Sequence, residues 1–160
     1  MSASQFAAPD FFEYIQSQII CFGIENVSHL LEIEVTESMM LHDQEIVIMI
    51  LSKLKGLGVK LSIDDFGVGY SSLSRLKNLP FDYLKIDKSF VDNIECSKKD
   101  RAVIETIVLL ADKFEMEVIA EGIETKFQAD WLLQSGCEMG QGFLFGKPQP
   151  FDEIIGCQPV

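Results

Sequence analysis

Basic residues are scarce in this sequence: 13 Lys and Arg stand against 25 Asp and Glu, a formal net charge of −12. Binding a nucleic-acid backbone draws on clustered Lys and Arg, so DNA is not an expected partner. Long apolar runs are missing too. The longest, IVIMIL from Ile46 to Leu51, falls far short of the roughly 20 residues that a membrane-spanning helix needs. The opening MSASQFAAPDFF lacks the basic start and apolar centre of a secretory signal. A soluble, cytoplasmic chain without membrane insertion by this segment is therefore expected. The four cysteines, Cys21, Cys96, Cys137 and Cys157, form no CxxC pair. That argues against a zinc site or disulfide framework and for reduced, buried thiols. No low-complexity linker divides the chain, so residues 1–160 are expected to form one domain.

What is present is a globular composition, 48% apolar, enough for a core of useful size. Hydrophobic periodicity alternates between helix and strand. Asp10 is placed to cap a helix over FFEYIQSQIICFG, ended by Gly23. Leu30 to Val35 reads as a strand, Asp43 to Lys55 as a helix closed by GLG, and Val59 to Asp64 as the next strand. SSLSRLKNLP holds a short helix that Pro80 stops. Asp82 to Asp87 is a third strand, and about Asp100 to Phe114 a long amphipathic helix. EVIAEG is a fourth strand, and TKFQADWLLQSG a helix closed by Gly136. One or two very short strands are expected in CEMGQGFLFGKP, and a last turn or helix near Phe151 to Ile155. Repeated strand–helix units imply a parallel sheet, either open and doubly wound or closed as a (β/α)8 barrel.

In both architectures functional groups gather at the carboxyl ends of strands. Here those ends carry Glu34, then Asp64 and Asp65, then Lys85, then Glu121. Neighbouring strand residues point to opposite faces, but a chain turning at the strand end can bring Asp64 and Asp65 to one cleft. Two close carboxylates repel unless a cation sits between them, and Mg²⁺ or Mn²⁺ prefers oxygen ligands. Each residue also has a plainer use. Asp65 can cap the following turn, and Glu37 in TES can belong to a helix entry with Thr36 or Ser38 as its cap. Lys85 can pair at the surface with Asp82 or Asp87, and the glycines around Glu121 and Gln141 can serve tight turns. Taken together, the strand ends suit metal-assisted hydrolysis.

The segments EVTES, IDDFGVGYSSL, LPFDYLKIDKSFV, VIAEGIET and GCEMGQGFLFGKP resemble, in order and spacing, the EAL domain family of cyclic di-GMP phosphodiesterases. The resemblance runs from Ser2 to Pro148. It implies an α/β fold, a (β/α)8 TIM-like barrel with one reversed strand, and a two-metal Mg²⁺ or Mn²⁺ site opening cyclic di-GMP to linear pGpG. By this resemblance Glu34 is a ligand of the first metal, Asp64 is shared by both, and Asp65 and Glu121 belong to the second. Lys85 positions the attacking water, Gln141 holds a metal-site water, and Glu37 tethers the DFGVGYSS loop. The same resemblance implies a homodimer through the Asp65–Ser72 region and an upstream sensor or GGDEF domain as a possible companion.

The sequence also departs from the family pattern. The Glu-Ala-Leu segment of the first strand is absent, as is the Asn that would precede Met1, and both would ligate the first metal. Val68 stands where the family usually has Thr or Ala. With 160 residues against the ~250 of a full barrel, an incomplete barrel of about six of eight strands is expected. It should carry two unpaired edges and hydrolyse poorly by itself. The alternative is a non-catalytic module that binds cyclic di-GMP or a protein partner. A response-regulator receiver, which also uses paired acids and a strand-end Lys, would need its acid pair on the first strand rather than in mid-chain.

Overall fold

The computed structural model describes residues 10–37, 39, 44–68 and 76–150. Helix α1 (Phe11–Cys21) and a 3-10 turn (Glu25–Leu30) lead into β1 (Glu32–Thr36). There follow α2 (Gln44–Gly56), β2 (Lys60–Phe66), β3 (Tyr83–Ile86), a short α3 (Lys88–Val91) and α4 (Lys98–Lys113). The chain closes through β4 (Glu117–Ala120), α5 (Lys126–Gln134) and β5 (Met139–Gly140). Of the short strands expected after Cys137, one forms among the described residues. The first half of SSLSRLKNLP, residues 71–75, and the segment from Phe151 to Ile155 lie outside them.

The strands form one parallel sheet in the order β1-β2-β3-β4-β5. A doubly wound sheet reverses its strand order at a switch point, whereas a barrel adds each strand beside the last. The unbroken order therefore settles the choice in favour of the barrel wall. It also removes the receiver alternative, whose sheet is doubly wound. Among the described residues β1 and β5 are the two edges.

Each of β1 to β4 presents one apolar row. Ile33 and Val35, Leu61 and Ile63, Leu84 and Ile86, and Val118 and Ala120 are all buried. They belong to one core with Leu51 and Leu54 of α2 and with Ile104, Ile107 and Ala111 of α4. Each large side chain so buried contributes about 2 kcal/mol relative to exposure. The opposite, inner row carries Glu34, Ser62, Tyr83 and Glu117 in register. Helices cover one side of the wall, and polar groups line the other.

Two expectations from sequence are corrected. Asp10 does not cap α1 with its side chain, because its backbone (φ −102°, ψ 9°) lies outside the extended region that a capping side chain needs. Cys21 and Cys96 are exposed and only Cys137 is buried; Cys157 lies outside the described residues. Cys21 sits off the buried face of α1, which is built on Phe11 and Ile19. At Cys137, burial pushes the thiol up to about 11 despite backbone hydrogen bonds that favour the thiolate.

The amino-terminal rim of the sheet is held by one carboxylate. Asp82 accepts from Lys55 Nζ at 2.7 and 2.8 Å, from Lys60 Nζ at 3.0 Å and from the Leu61 N–H at 2.9 Å. It thereby ties α2, β2 and the start of β3 together. Partial burial alone would raise the Asp82 pKa. The hydrogen bonds from Lys55, Leu61 and Lys60 outweigh it and hold the carboxyl below its ordinary 3.8. Replacing Asp82 with Ala should cost about 2 kcal/mol in urea unfolding, the scale of hydrogen bonds to a charged group. A depressed folded-state pKa means that this stabilisation is complete above about pH 4 and fades as pH falls through the lower folded value. The gap between wild type and Asp82→Ala should therefore close in acid.

Candidate metal centre

All five strands supply the site, from residues at or just beyond their carboxyl-terminal ends. Glu34 lies on β1 one residue before the buried Val35, so the strand's alternation aims it at the inner face. Lys85 does the same on β3 between Leu84 and Ile86. Glu121 follows β4 directly, its N–H donating to the Ile86 carbonyl at 3.1 Å. Gln141 follows β5, donating its N–H to the Ala120 carbonyl at 2.8 Å.

Asp64 and Asp65 need a further device. Ile63 faces Leu84 while Phe66 faces Ile86, so β2 carries one more residue than β3 over the same span. This is a β-bulge, and Asp65 takes the left-handed conformation within it (φ 56°), which Asp tolerates better than most residues. In a regular strand Asp65 would share the helix-covered side with Leu61 and Ile63. The bulge instead puts both acids between two core-packed apolar residues, Ile63 and Phe66, and turns both to the rim. Asp65 feels its neighbours: loss of hydration raises its carboxyl pKa first, then Asp64, Asp87 and Glu34 add to the rise while Lys85 opposes it.

The centre of the cluster is the Lys85 ammonium. It contacts Glu34 and lies 2.5 Å from Glu121 Oε1 and 3.4 Å from Asp64 Oδ1. Its side chain is 4% exposed. Burial by itself would lower the pKa of this amine, but hydrogen bonds to Glu121 and Glu34, with the field of Glu121 and Asp64, raise it well above 10.5. Lys85 therefore stays charged. The surface pairs weighed from sequence do not form: Asp82 is taken by Lys55 and Lys60, and Asp87 caps α3 by accepting from the Ser89 N–H at 3.0 Å. Gln141 Nε2 donates to Glu121 Oε1 at 2.8 Å and fixes that carboxylate from the far side.

Glu37 stands apart from this centre. It is buried, and its Oε2 accepts from the Gly67 N–H at 3.2 Å, clasping the chain just beyond the bulge. Residues 69–75 lie outside the described residues.

Carboxylates and an amide are hard oxygen donors, the set that suits Mg²⁺, Mn²⁺ or Ca²⁺. Three carboxylates contact a single ammonium and Asp65 lies close enough to feel them, so the rim retains excess negative charge for a further cation. By donor chemistry the residues fit a divalent metal. Among the described residues no three acids close round a shared empty point; the point that Glu34, Asp64 and Glu121 share is Lys85 Nζ.

Beside the cluster opens a cavity of about 750 Å³ that shares Glu121 and Gln141 with it. Its wall includes Lys88, Phe143, Phe145 and Lys147. Lys88 is paired with Glu124, and Lys147 lies 5.6 Å from the Phe143 ring centroid. The sequence reading assigned no substrate-contacting residue and did not single out these four. The signal available was the aromatic and basic content of GQGFLFGKP. At Gly142 a Cβ would fall 2.1 Å from the Ile123 carbonyl oxygen, so this glycine is required by close backbone approach and lets the wall fold against the segment that follows β4.

Comparison with known proteins places this rim in context. The model of the EAL domain family matches residues 1–148. The chain is 39% identical over 155 residues to the bifunctional diguanylate cyclase/cyclic di-GMP phosphodiesterase MucR of Pseudomonas aeruginosa, covering 97% of this chain and 22% of that protein. It thus spans about a fifth of that relative's length. The solved cyclic di-GMP complex of the PaMucR phosphodiesterase superposes with a TM-score of 0.91 at 38% identity, over 96% of this chain and 62% of that one. The manganese and cyclic di-GMP complex of Klebsiella pneumoniae BlrP1 gives 0.80 at 33% identity, over 91% and 36%. With its family model matched almost end to end and its rim of acids gathered on one lysine, this chain belongs to the EAL domain family.

Proposed function

We propose that this chain carries the metal-binding rim of a cyclic di-GMP phosphodiesterase, hydrolysing one phosphodiester bond to give linear pGpG. The observation that carries the reading is the convergence of Glu34, Asp64 and Glu121 on Lys85, with Asp65 turned to the same rim by a bulge. The complexes of PaMucR with cyclic di-GMP and of BlrP1 with manganese and cyclic di-GMP support it, as properties of those proteins.

Each residue then has a role. Glu34 and Asp64 hold a first divalent ion, and Asp64, Asp65 and Glu121 a second, with Mg²⁺ or Mn²⁺ as the physiological ions. Bound there, the ions polarise the phosphate and lower the pKa of an attacking water. Lys85, permanently charged, orients that water and offsets the negative charge that builds on the phosphoryl oxygens. Gln141 keeps Glu121 turned to the site, and Glu37 holds the chain after the bulge so that Asp65 cannot swing away. The adjoining cavity takes a guanine base against Phe143 or Phe145, with Lys88 and Lys147 near the phosphates. A second copy of the chain meets the first through the Asp65–Ser72 region, and a sensor or GGDEF domain stands upstream.

Hydrolysis is tested with Mn²⁺ and cyclic di-GMP on the 160-residue chain and on a form extended at its amino terminus by a Glu-Ala-Leu strand. The extended form should turn over substrate and the shorter form far more slowly. Asp64→Ala in the extended form should lower kcat at least about a hundredfold, since it removes a ligand common to both ions. Binding of cyclic di-GMP with no turnover by the extended form would favour a receptor instead.

The base pocket makes a separate prediction. In the extended form Phe143→Ala should raise KM by roughly tenfold, the loss of one stacking contact, with kcat nearly unchanged. An unchanged KM would move the base elsewhere. The second-copy contact is checked by sedimentation velocity. A concentration-dependent dimer is expected, and a monomer at every concentration would remove it.

A further inference from the structure

Lys85 occupies the position for which a metal must compete. Its ammonium is a compact point charge, placed where carboxylates of β1, β2 and the segment after β4 meet. A divalent ion carries twice the charge and draws on the same oxygens. Those oxygens are already engaged: Glu121 Oε1 accepts from both Lys85 and Gln141, and Glu34 Oε1 contacts Lys85. The contacts are not equal. Asp64 Oδ1, at 3.4 Å, lies beyond good hydrogen-bond range and is the most readily surrendered.

We propose that Lys85 is an internal counterion that competes with divalent metal for Glu34, Asp64 and Glu121. Without metal it holds the three acids together against their mutual repulsion. On metal binding it yields them, Asp64 first, and its freed ammonium turns to the substrate side. The lysine thus sets the metal affinity of the rim in addition to its role toward water and phosphate. This inference rests on the metal-dependent reading of the site given above.

The test measures Mn²⁺ binding by loss of the free-ion spin-resonance signal, in the chain as it stands and in two variants. Lys85→Met removes the proposed competitor. Lys88→Met removes an equal charge whose ammonium pairs with Glu124 instead of the three acids. Lys85→Met should bind Mn²⁺ at least about tenfold more tightly than wild type, and Lys88→Met within about twofold, since only the first releases ligands as well as changing the field. Lys85→Met should also melt lower than wild type in chelator and gain more on Mn²⁺ addition. Equal or weaker binding by Lys85→Met, or an equal gain from Lys88→Met, overturns the counterion role while leaving the metal site standing. Mn²⁺ binding to none of the three chains overturns both. A measurement on wild type guards against a variant that does not fold: the Lys85 ¹³Cε resonance should shift and saturate with added Mg²⁺. A resonance that stays in place also overturns the proposal.

Discussion

A buried ammonium organises this molecule. Taking Lys85 out of water costs several kcal/mol unless its charge is matched by well-placed partners, and three carboxylates match it. They come from β1, from β2 and from the chain just after β4. The lysine is therefore satisfied only when three strand ends reach the same height. That condition links the packing of the apolar outer row to the chemistry of the rim. A slip of one residue in any of these strands would put its acid on the helix-covered side, leaving the ammonium under-matched and a carboxylate buried in the core.

Much of the candidate site could be read from the sequence, because strand alternation already aims Glu34, Lys85 and Glu121 inward. What the sequence could not decide was who pairs with whom. Lys85 has Asp82 and Asp87 within three residues, and local spacing favours them over partners more than twenty positions away. Tertiary structure reverses that order by committing Asp82 to Lys55 and Lys60 and Asp87 to the start of α3. The joint orientation of Asp64 and Asp65 was hidden for a different reason. A bulge is a property of two strands in register, and it shows only when β2 is set against β3.

The fold shows the same division. Element types followed from periodicity, while the choice between an open sheet and a barrel wall did not, since both are built from the same strand–helix unit. Strand order made the choice. Capping was harder to read than periodicity. Asp10, a good capping residue by type, has the wrong backbone conformation. Thr125, which attracted no notice, forms a reciprocal capping box with Gln128 at the start of α5. Residue type alone does not make a cap; the preceding chain must also arrive extended.

The two charged knots of the sheet sit at opposite rims. Asp82 binds Lys55 and Lys60 where the strands begin, and Lys85 binds its acids where they end. Lys85 follows Asp82 by only three residues, yet the two knots share no side chain. Reactivity and mechanical integrity are thus assigned to different ends of one strand. A lineage could blunt the upper rim, acid by acid, and keep an intact shell with its aromatic-walled hollow. Such a descendant would have exchanged the proposed cleavage for sensing without rebuilding its architecture.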